Sequence, residues 1–371
     1  MKKFLTLAFA FVFMTGVAFA QDNTADINQE VDASDASITQ QGSENDADVS
    51  QILGNDRMSA DIYQEGNSNL ASVTQQWGQF HEALVEQIGD ANALDLVQDN
   101  TNTYTNVYQR GDGNAADIFQ RSRLFDSSGD PVSIIELTQE GDGNSAEVTQ
   151  DSESTAGNEA YISQTGNGSF VSVEQLGDGN YAEASHSGNG SIEQSQQGDF
   201  NTVVANATSS GEVTQTQIGD DNTATVAEDR GSVEQNSTVT QIQDGDGNMA
   251  SIDIRQGNGR NNTLLQEQYG DDNTAVMLDV GNGNSVTQTQ YGEGNTSTVG
   301  NAGNPQLGNM DVETMQEGDL NNALVLGSGN DWAYIGQFGN ENTATISQDS
   351  GDWASISQTG DSNTATISQS N

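Results

Sequence analysis

The end of the chain holds a unit that is repeated almost letter for letter, and this repetition constrains the fold more than any other feature. The unit Gln-x-Gly-x-x-Asn-x-Ala-x-Ile-x-Gln runs from Gln337 to Gln348 and again from Gln358 to Gln369, at an offset of 21 residues. Its Asn, Ala, Ile and Gln fall on alternate positions, and a period of two is typical of a β-strand. A second run of the same period, starting at Ala354, separates the copies. We therefore predict that each repeat is a strand, a turn, a second strand and a second turn.

The core of this unit, Gln-x-Gly-x-x-Asn, recurs along almost the whole chain. The intervals between copies are mostly 21 to 26 residues, and the longest, from Gly141 to Gly177, contains a degenerate copy with Ser169 in place of Asn. Sequences with repeats of this length form solenoids, in which each repeat buries its core by stacking on its neighbours. We therefore predict an all-β, amyloid-like β-solenoid of about fifteen stacked strand-turn-strand repeats.

One face of each predicted strand carries Ala and Ile together with Gln and Asn, while the other face carries mostly Ser and Thr. Buried amides cost free energy unless they are hydrogen-bonded, and the nearest partner is the same residue one repeat away, as in stacked amide ladders. The predicted structural ladder consists of Gln40, Asn45, Gln51, Gln64, Asn69, Gln75, Gln87, Asn92, Gln98, Gln139, Asn144, Gln150, Gln337, Asn342, Gln348, Gln358, Asn363 and Gln369. Glycine tolerates the positive φ of tight turns. The predicted turn glycines are Gly42, Gly66, Gly89, Gly111, Gly141, Gly339 and Gly360.

The composition alone would suggest disorder, because only 32% of the residues are hydrophobic and the formal net charge is −46. The regular repeat argues for order, since stacked repeats need to bury little surface each. The chain has no cysteine, which excludes disulfides and thiolate metal sites. The strong negative charge disfavours nucleic acid and anionic lipid as partners. We expect no nucleic-acid partner, no cofactor and no dedicated metal site.

The N-terminus has the pattern of a secretory signal peptide. Lys2 and Lys3 precede an apolar run that continues to Val17, and small residues then supply a cleavage site before Gln21. The alternative is a membrane anchor, which the short apolar run disfavours. We predict that residues 1–20 are removed and that the protein is secreted.

The rest of the chain, residues 21–371, is predicted to form one continuous solenoid. Two stretches break the rhythm of the repeats and each contains a proline, one near 121–135 and one near 299–310. We predict that both are loop insertions at the side of the stack. Asn23 and Gln369 lie within ordinary repeats, so we expect no distinct cap and open sheet edges at the ends.

The repeated unit resembles the curlin repeat of the curli fibre subunits, and the resemblance covers nearly all of residues 21–371. The final Gln of the motif is present at Gln51, Gln75, Gln98, Gln120, Gln150, Gln348 and Gln369. In the central repeats other residues replace it, namely His186, Ala207, Glu228, Ile254, Asp279, Asn301 and Gly327. The repeats also begin directly after the predicted cleavage site, without a separate targeting segment of the mature chain.

This resemblance implies a function and a set of partners. Curli subunits cross the periplasm and the outer membrane and polymerise into extracellular amyloid fibres at the cell surface, which form biofilm matrix and mediate adhesion. The resemblance therefore implies that the chain polymerises with itself as a homopolymer. It also implies a nucleator subunit and outer-membrane secretion machinery as partners, with the chain itself in the role of major subunit or nucleator.

Three other functions stay open on the sequence alone. A monomeric β-solenoid that binds a surface, such as an adhesin or an ice-binding protein, would use outward Thr-x-Thr pairs such as Thr343 and Thr345, but most repeats lack the pair. The Gly-Asp-Gly-Asn turns offer oxygen ligands for Ca²⁺, yet they do not match the nonapeptide calcium repeat, so we expect only non-specific attraction. An enzyme is the least favoured, because the only histidines, His81 and His186, accompany no nucleophile or carboxylate pair in the pattern of a catalytic site.

Overall fold

A computed structural model describes residues 22–54, 57–123, 132–154, 156–226, 233–254, 260–300, 308–327, 329–349 and 351–370. In these residues the chain forms two parallel sheets of 15 strands each and no helix. The predicted signal peptide, residues 1–20, lies outside the described residues. Within the described ranges, no helix has the length and apolar character needed to cross a membrane. The all-β solenoid predicted from the repeat is confirmed.

Alternate strands belong to alternate sheets, which we call the odd sheet and the even sheet. The odd sheet consists of β1 Thr24–Gln29, β3 Asp46–Ile52, β5 Leu70–Gln76, β7 Ala93–Asn100, β9 Ala115–Ser122, β11 Ser145–Ser152, β13 Phe170–Leu176, β15 Ser191–Gln197, β17 Glu212–Ile218, β19 Thr238–Asp244, β21 Thr263–Tyr269, β23 Ser285–Tyr291, β25 Asp311–Glu317, β27 Trp332–Phe338 and β29 Trp353–Thr359. The even sheet consists of β2 Asp35–Ser43, β4 Ser59–Asn67, β6 Glu82–Ile88, β8 Thr103–Arg110, β10 Ser133–Glu140, β12 Glu159–Thr165, β14 Tyr181–Gly188, β16 Thr202–Ser209, β18 Thr223–Val226, β20 Met249–Ile254, β22 Thr274–Val280, β24 Thr296–Val299, β26 Asn322–Leu326, β28 Thr343–Ser347 and β30 Thr364–Ser368. An odd strand and the even strand that follows it make one coil.

The core lies between the two sheets and is narrow. In β17, for example, Val213, Gln215 and Gln217 are buried while the residues between them face outward. Parallel pairing places like residues on top of one another, so that Ile335 aligns with Ile356 and Gln337 with Gln358. Because most strands bury only Ala and one larger aliphatic residue, the amides must fill the remaining interior space.

The tight glycine turns change sides once along the solenoid. The column that contains Gly42 and Gly141 lies at the even-to-odd corner, where an even strand leads into the next odd strand. The column that starts with Gly177 and ends with Gly360 lies at the odd-to-even corner. The interval from Gly141 to Gly177 is 36 residues, about one and a half repeats, which is why the motif passes to the opposite corner.

The described residues at the margins of the two predicted loop insertions belong to strands or to the core, and the insertions themselves stay predictions. At the first, near 121–135, the outer residues belong to strands, because β9 continues to Ser122 and β10 begins at Ser133. The second, near 299–310, begins at the end of β24 and finishes with Met310, which is buried directly before β25. Residues 124–131 and 301–307 between these edges lie outside the described residues.

Two glycines of one corner allow a matched test of this close stacking. Gly111 has a φ of 118°, and a Cβ there would lie 2.1 Å from the carbonyl oxygen of Gly141 on the next coil. Gly113 has a φ of 68° and open space around it, and the equivalent position one coil earlier is Ala91 at a φ of 58°. We expect Gly111→Ala to lower the free energy of unfolding by about 3 kcal/mol or more, and Gly113→Ala by about 1 kcal/mol. Urea denaturation of freshly purified protein measures both, and equal losses would contradict the role assigned to the Gly111 stack.

Candidate functional site: stacked amide ladders

Every strand of the odd sheet places a glutamine at the same inward position. This column consists of Gln29, Gln51, Gln75, Gln98, Gln120, Gln150, Gln175, Gln196, Gln217, Gln243, Gln268, Gln290, Gln316, Gln337 and Gln358. In every coil except the last, Nε2 donates to Oε1 of the glutamine on the following coil, over distances of 2.7–3.4 Å. The hydrogen bonds therefore run in one direction along the whole rod.

The second amide hydrogen of these glutamines crosses the core. Gln217 Nε2 also donates to the carbonyl oxygen of Thr202 at 3.0 Å, and Gln268 Nε2 donates to the carbonyl oxygen of Met249 at 3.1 Å. Each acceptor lies at the beginning of the strand opposite. A carboxamide has two donor hydrogens, so both are used, and the column ties the two sheets together as well as the coils.

The corresponding column of the even sheet is interrupted. It consists of Gln40, Gln64, Gln87, Gln109, Gln139 and Gln164, and it resumes with Gln348 and Gln369. Between these two runs the position is occupied by His186, Ala207, Ile254 and Gly327. Two further replacements noted in the sequence, Glu228 and Asn301, lie outside the described residues, as does the side chain of Asp279.

A second column in the odd sheet compensates for this interruption. It consists of Gln194, Gln215, Gln241, Gln266 and Gln288, on β15 to β23, and its Nε2–Oε1 distances are 2.7–2.9 Å. The same position in β13 is Val173. The predicted ladder did not include this column, although the Gln-x-Gln spacing that marks it is visible in each of the five strands. The five coils from β15 to β24 thus have two columns of buried glutamines, both in the odd sheet, while Val173 and Thr314 occupy this position in β13 and β25.

Each glutamine column begins with an unpaired acceptor where a run starts inside the rod. Gln194 is the first member of its column and Gln348 is the first after the interruption, and the Oε1 atoms of both are buried without a hydrogen-bond partner. Because every donor points toward the following coil, the first acceptor of a run has no glutamine behind it. The ladder is therefore directional.

Most of the buried asparagines form two long ladders at opposite corners, and a separate pair, Asn262 and Asn284, is linked in the same way at 2.8 Å at the even-to-odd corner. Asn45, Asn69, Asn92, Asn114 and Asn144 lie at the even-to-odd corner, and Asn158, Asn180, Asn201, Asn222, Asn248, Asn273, Asn295, Asn321, Asn342 and Asn363 lie at the odd-to-even corner. In each ladder Oδ1 accepts the backbone N–H of the next asparagine at 2.9–3.1 Å. The structure therefore separates Asn342 and Asn363 from the other predicted ladder asparagines.

The acidic turn residues form a third kind of column. The backbone N–H of Asp199 donates to Oδ1 of Asp220 at 2.8 Å, and Asp220 and Asp246 repeat this contact with the next coil. One carboxylate oxygen of each turn is thus used to bind backbone. Among the described residues, no group of three or more His, Asp or Glu side chains is placed to hold a metal ion.

The ladder geometry agrees with a comparison to known protein families. A family model for the curlin associated repeat matches residues 59–89, 135–177 and 309–349. These stretches come from both halves of the rod and therefore include both corner arrangements. The chain is a curlin-repeat protein. A search of the curated proteins found no match to the chain.

The two histidines of this curlin-repeat protein are buried in its core. His81 Nδ1 lies 2.6 Å from Oγ1 of Thr103, its Nε2 has no partner, and burial lowers the pKa of His81 to about 4. The His186 ring occupies a glutamine position, both its nitrogens lack hydrogen-bond partners, and burial lowers its pKa as well. Both rings are therefore built into the interior in their neutral form.

Adjacent glutamines in β15 test the importance of the odd-sheet column. Gln196 is fully buried and bonds to Gln175, Gln217 and the carbonyl oxygen of Tyr181, whereas Gln197 is exposed. We expect Gln196→Ala to cost about 2–4 kcal/mol of folding free energy, because it leaves a cavity and two unpaired amides. Gln197→Ala should change stability by less than about 0.5 kcal/mol. Urea unfolding of the two variants measures the difference, and similar small losses for both would contradict a structural ladder.

His81 makes folding sensitive to acid. The pKa of His81 in the folded protein is about 4, below the ordinary value of 6.5. The buried neutral ring therefore contributes its full share of the folding free energy above pH 6.5, and this share is lost as the pH falls toward 4. We expect the natural protein to lose about 2 kcal/mol more than His81→Asn between pH 7 and pH 4.5. Denaturant unfolding at both pH values measures this difference. The variant His186→Gln, which restores a ladder residue, is measured in parallel. An unchanged pH dependence in His81→Asn would refute the assignment.

Proposed function

We propose that this chain is a secreted structural protein that self-assembles into extracellular curli-like amyloid fibres, which contribute to biofilm matrix and surface adhesion. The curlin repeat supports this assignment at the level of the family. Within the chain, the proposal rests on the open sheet edges of the first and last described coils. We call β1 with β2 the first coil, and β29 with β30 the last coil.

Both of these coils have open sheet edges among the described residues. The strands β1 and β2 pair only with β3 and β4, and β29 and β30 pair only with β27 and β28. Ile27 in the first coil is 43% exposed, whereas the equivalent Ile335 inside the rod is fully buried. An exposed parallel edge with apolar side chains is a template for another strand.

The two open coils carry the same inward residues. All four edge strands read Ala-x-Ile-x-Gln, with the sets Ala25, Ile27 and Gln29; Ala36, Ile38 and Gln40; Ala354, Ile356 and Gln358; and Ala365, Ile367 and Gln369. Inside the rod this set varies, as with Ala182, Ala184 and His186 of β14. The most regular chemistry thus lies where another copy would bind, which favours end-to-end assembly.

The family also supports the other parts of the proposal. A curli-like subunit is exported through the periplasm with the help of outer-membrane secretion machinery and meets a nucleator subunit outside the cell. The fibre itself is then the functional product, and no catalytic step is assigned to the chain. The turn glycines and the amide columns are the parts of the chain to which we assign this structural role.

Electron microscopy of the processed chain, from Gln21 onward, tests this function. We expect unbranched fibres that bind thioflavin or Congo red, that sediment, and that diffract at about 4.7–4.8 Å along the fibre axis. A protein that stays monomeric at high concentration and binds no dye would contradict fibre assembly. It would favour the monomeric surface-binding solenoid instead, with the stacked pairs Thr343 and Thr345 and Thr364 and Thr366 as its binding face.

The acidic columns should slow assembly. The chain carries a formal charge of −46, and the turn carboxylates of successive coils lie directly above one another. Salt screens such repulsion over a distance of about 10 Å at 0.1 M. We expect a shorter lag time in high salt, in Ca²⁺ or near pH 4 than in low salt at pH 7, measured by thioflavin fluorescence. Equal lag times under all four conditions would refute electrostatic restraint.

A further inference from the structure

We propose that Tyr269 and Tyr291 form an oxidative crosslinking site, at which a one-electron oxidant joins the two rings into a dityrosine that staples neighbouring coils of the solenoid. The substrate of this modification is the protein itself, and the co-reactant is hydrogen peroxide acting through a haem peroxidase. The chain has no cysteine, so a bond between aromatic rings is a covalent link that its strands can form where a disulfide is impossible. Because both residues belong to one chain, the site does not depend on fibre assembly.

The two tyrosines are register partners, which distinguishes them from the others. The chain has eight tyrosines, and all of them lie in described strands. Only Tyr269 on β21 and Tyr291 on β23 are aligned with each other. Each of the other six has a glutamate as a register partner on a neighbouring strand, in the pairs Tyr63–Glu86, Glu82–Tyr104, Glu86–Tyr108, Glu136–Tyr161, Glu159–Tyr181 and Glu313–Tyr334.

The rings of the aligned pair are stacked and accessible. Their centroids lie 5.0 Å apart and their planes differ by 9°. Both side chains are on the outer face of the odd sheet, and Tyr291 is 40% exposed, so an oxidant in solution reaches the pair. Two rings so placed need only a small tilt to bring together the ring carbons beside their hydroxyls.

Carboxylates flank the pair on both sides. The same outward position is Asp244 on the preceding odd strand, β19, and Glu317 on the following one, β25. Burial raises the pKa of Tyr269, and the neighbouring charges of Glu267 and Asp244 raise it further. The phenol of Tyr269 is therefore protonated at neutral pH and must release its proton when it is oxidised. Carboxylates that accept this proton lie on the adjacent strands.

The reaction balances as a two-electron oxidation of the pair. Each phenol loses one electron and its hydroxyl proton and becomes a tyrosyl radical. The two radicals form one carbon–carbon bond between the ring positions beside the hydroxyls, and the hydrogens on these carbons move to the phenolic oxygens, which restores both aromatic rings. Hydrogen peroxide takes up the two electrons and two protons and leaves as two molecules of water. The product is lighter than the natural chain by two hydrogen atoms.

The link closes a loop around one complete coil. It joins β21 to β23, and the even strand β22 lies between them in the sequence. A crosslink that closes a loop removes conformations from the unfolded chain, as a disulfide does. We therefore expect the linked protein to unfold at a higher urea concentration than the unlinked protein.

A second tyrosine pair provides an internal comparison. Tyr161 and Tyr181 lie on β12 and β14 with their ring centroids 5.7 Å apart, but they are diagonal neighbours and their planes differ by 40°. Their hydroxyls donate to Glu159 at 3.2 Å and to Glu183 at 2.9 Å. These hydrogen bonds hold the rings in the tilted arrangement, so we expect a yield of dityrosine at least tenfold lower here than at the aligned pair.

Peptide mapping of the oxidised protein tests the proposal. Freshly purified mature chain at low concentration is treated with a haem peroxidase and hydrogen peroxide, denatured, and digested with a protease that cuts at aspartate. Asp271 and Asp279 lie between the two tyrosines, so unlinked Tyr269 and Tyr291 fall on separate peptides. We expect dityrosine fluorescence and one joined pair of peptides, lighter than their sum by two hydrogen atoms. Oxidation in urea should lower the yield of this pair at least tenfold.

Matched variants separate the register from the number of tyrosines. Tyr291→Phe keeps the stacked ring without its hydroxyl, and we expect it to lose the link. Tyr291→Phe/Thr289→Tyr restores the number of tyrosines on β23 at an outward position that is out of register with Tyr269, and we expect at most a tenth of the natural yield. Tyr181→Phe leaves the aligned pair intact and should stay within twofold of the natural yield. Circular dichroism checks the fold of each variant.

Several outcomes would overturn the crosslinking site. Natural protein that forms no dityrosine under these conditions, or that forms it equally well at the tilted pair or in urea, would do so. A link found mainly in covalent dimers would also do so, because it would then join two copies. A natural yield in the out-of-register variant would show that stacking does not select the site. All of these results leave fibre assembly untouched, since electron microscopy tests it separately.

Discussion

The structure depends on the hydrogen bond from each buried glutamine carboxamide to the same group on the next coil. The aliphatic residues of a coil are too few to fill the space between the sheets, so amides occupy the rest. A buried amide left unpaired costs about 1–3 kcal/mol, which makes stacking obligatory once such residues are inside. A shift of one residue in the register would turn every amide outward, so the same bonds also specify how the coils align.

The middle of the rod shows which part of this arrangement is variable. Where the even sheet loses its glutamines, at His186 and Ala207, the odd sheet gains a second column that includes Gln215. The tight corners change sides in the same region. What is constant is the glutamine column that runs through every strand of the odd sheet, while the position of the second column and the corner that carries the asparagine ladder change along the rod. His186 fits this exchange, because it occupies a position of the even sheet at which the glutamine column is interrupted.

The sequence predicted the strands, their buried faces and the stacking of like residues, because a period of two and a repeat near 21 residues are local patterns. It did not predict the corner exchange, although the interval from Gly141 to Gly177 records it. A motif match shows only that two segments are alike. Assigning each copy of the motif to a corner of the coil requires counting strands, half a repeat at a time, through the degenerate copy at Ser169. The column at Gln194 was left out of the predicted ladder for a related reason, since that prediction followed the residues that begin and end each motif and not the middle inward position of the strand before it.

The corner exchange has a consequence for how genes of this kind can lengthen or shorten. Because β11 and β12 both present Ala, a larger aliphatic residue and Gln to the core, a duplication or deletion of half a coil in this region leaves the neighbouring strands with compatible partners. The rod is therefore tolerant of recombination in steps of one strand and one turn, and not only of whole repeats. The stretch from Gly141 to Gly177 has the length of such an event, one and a half units between two otherwise regular arrays.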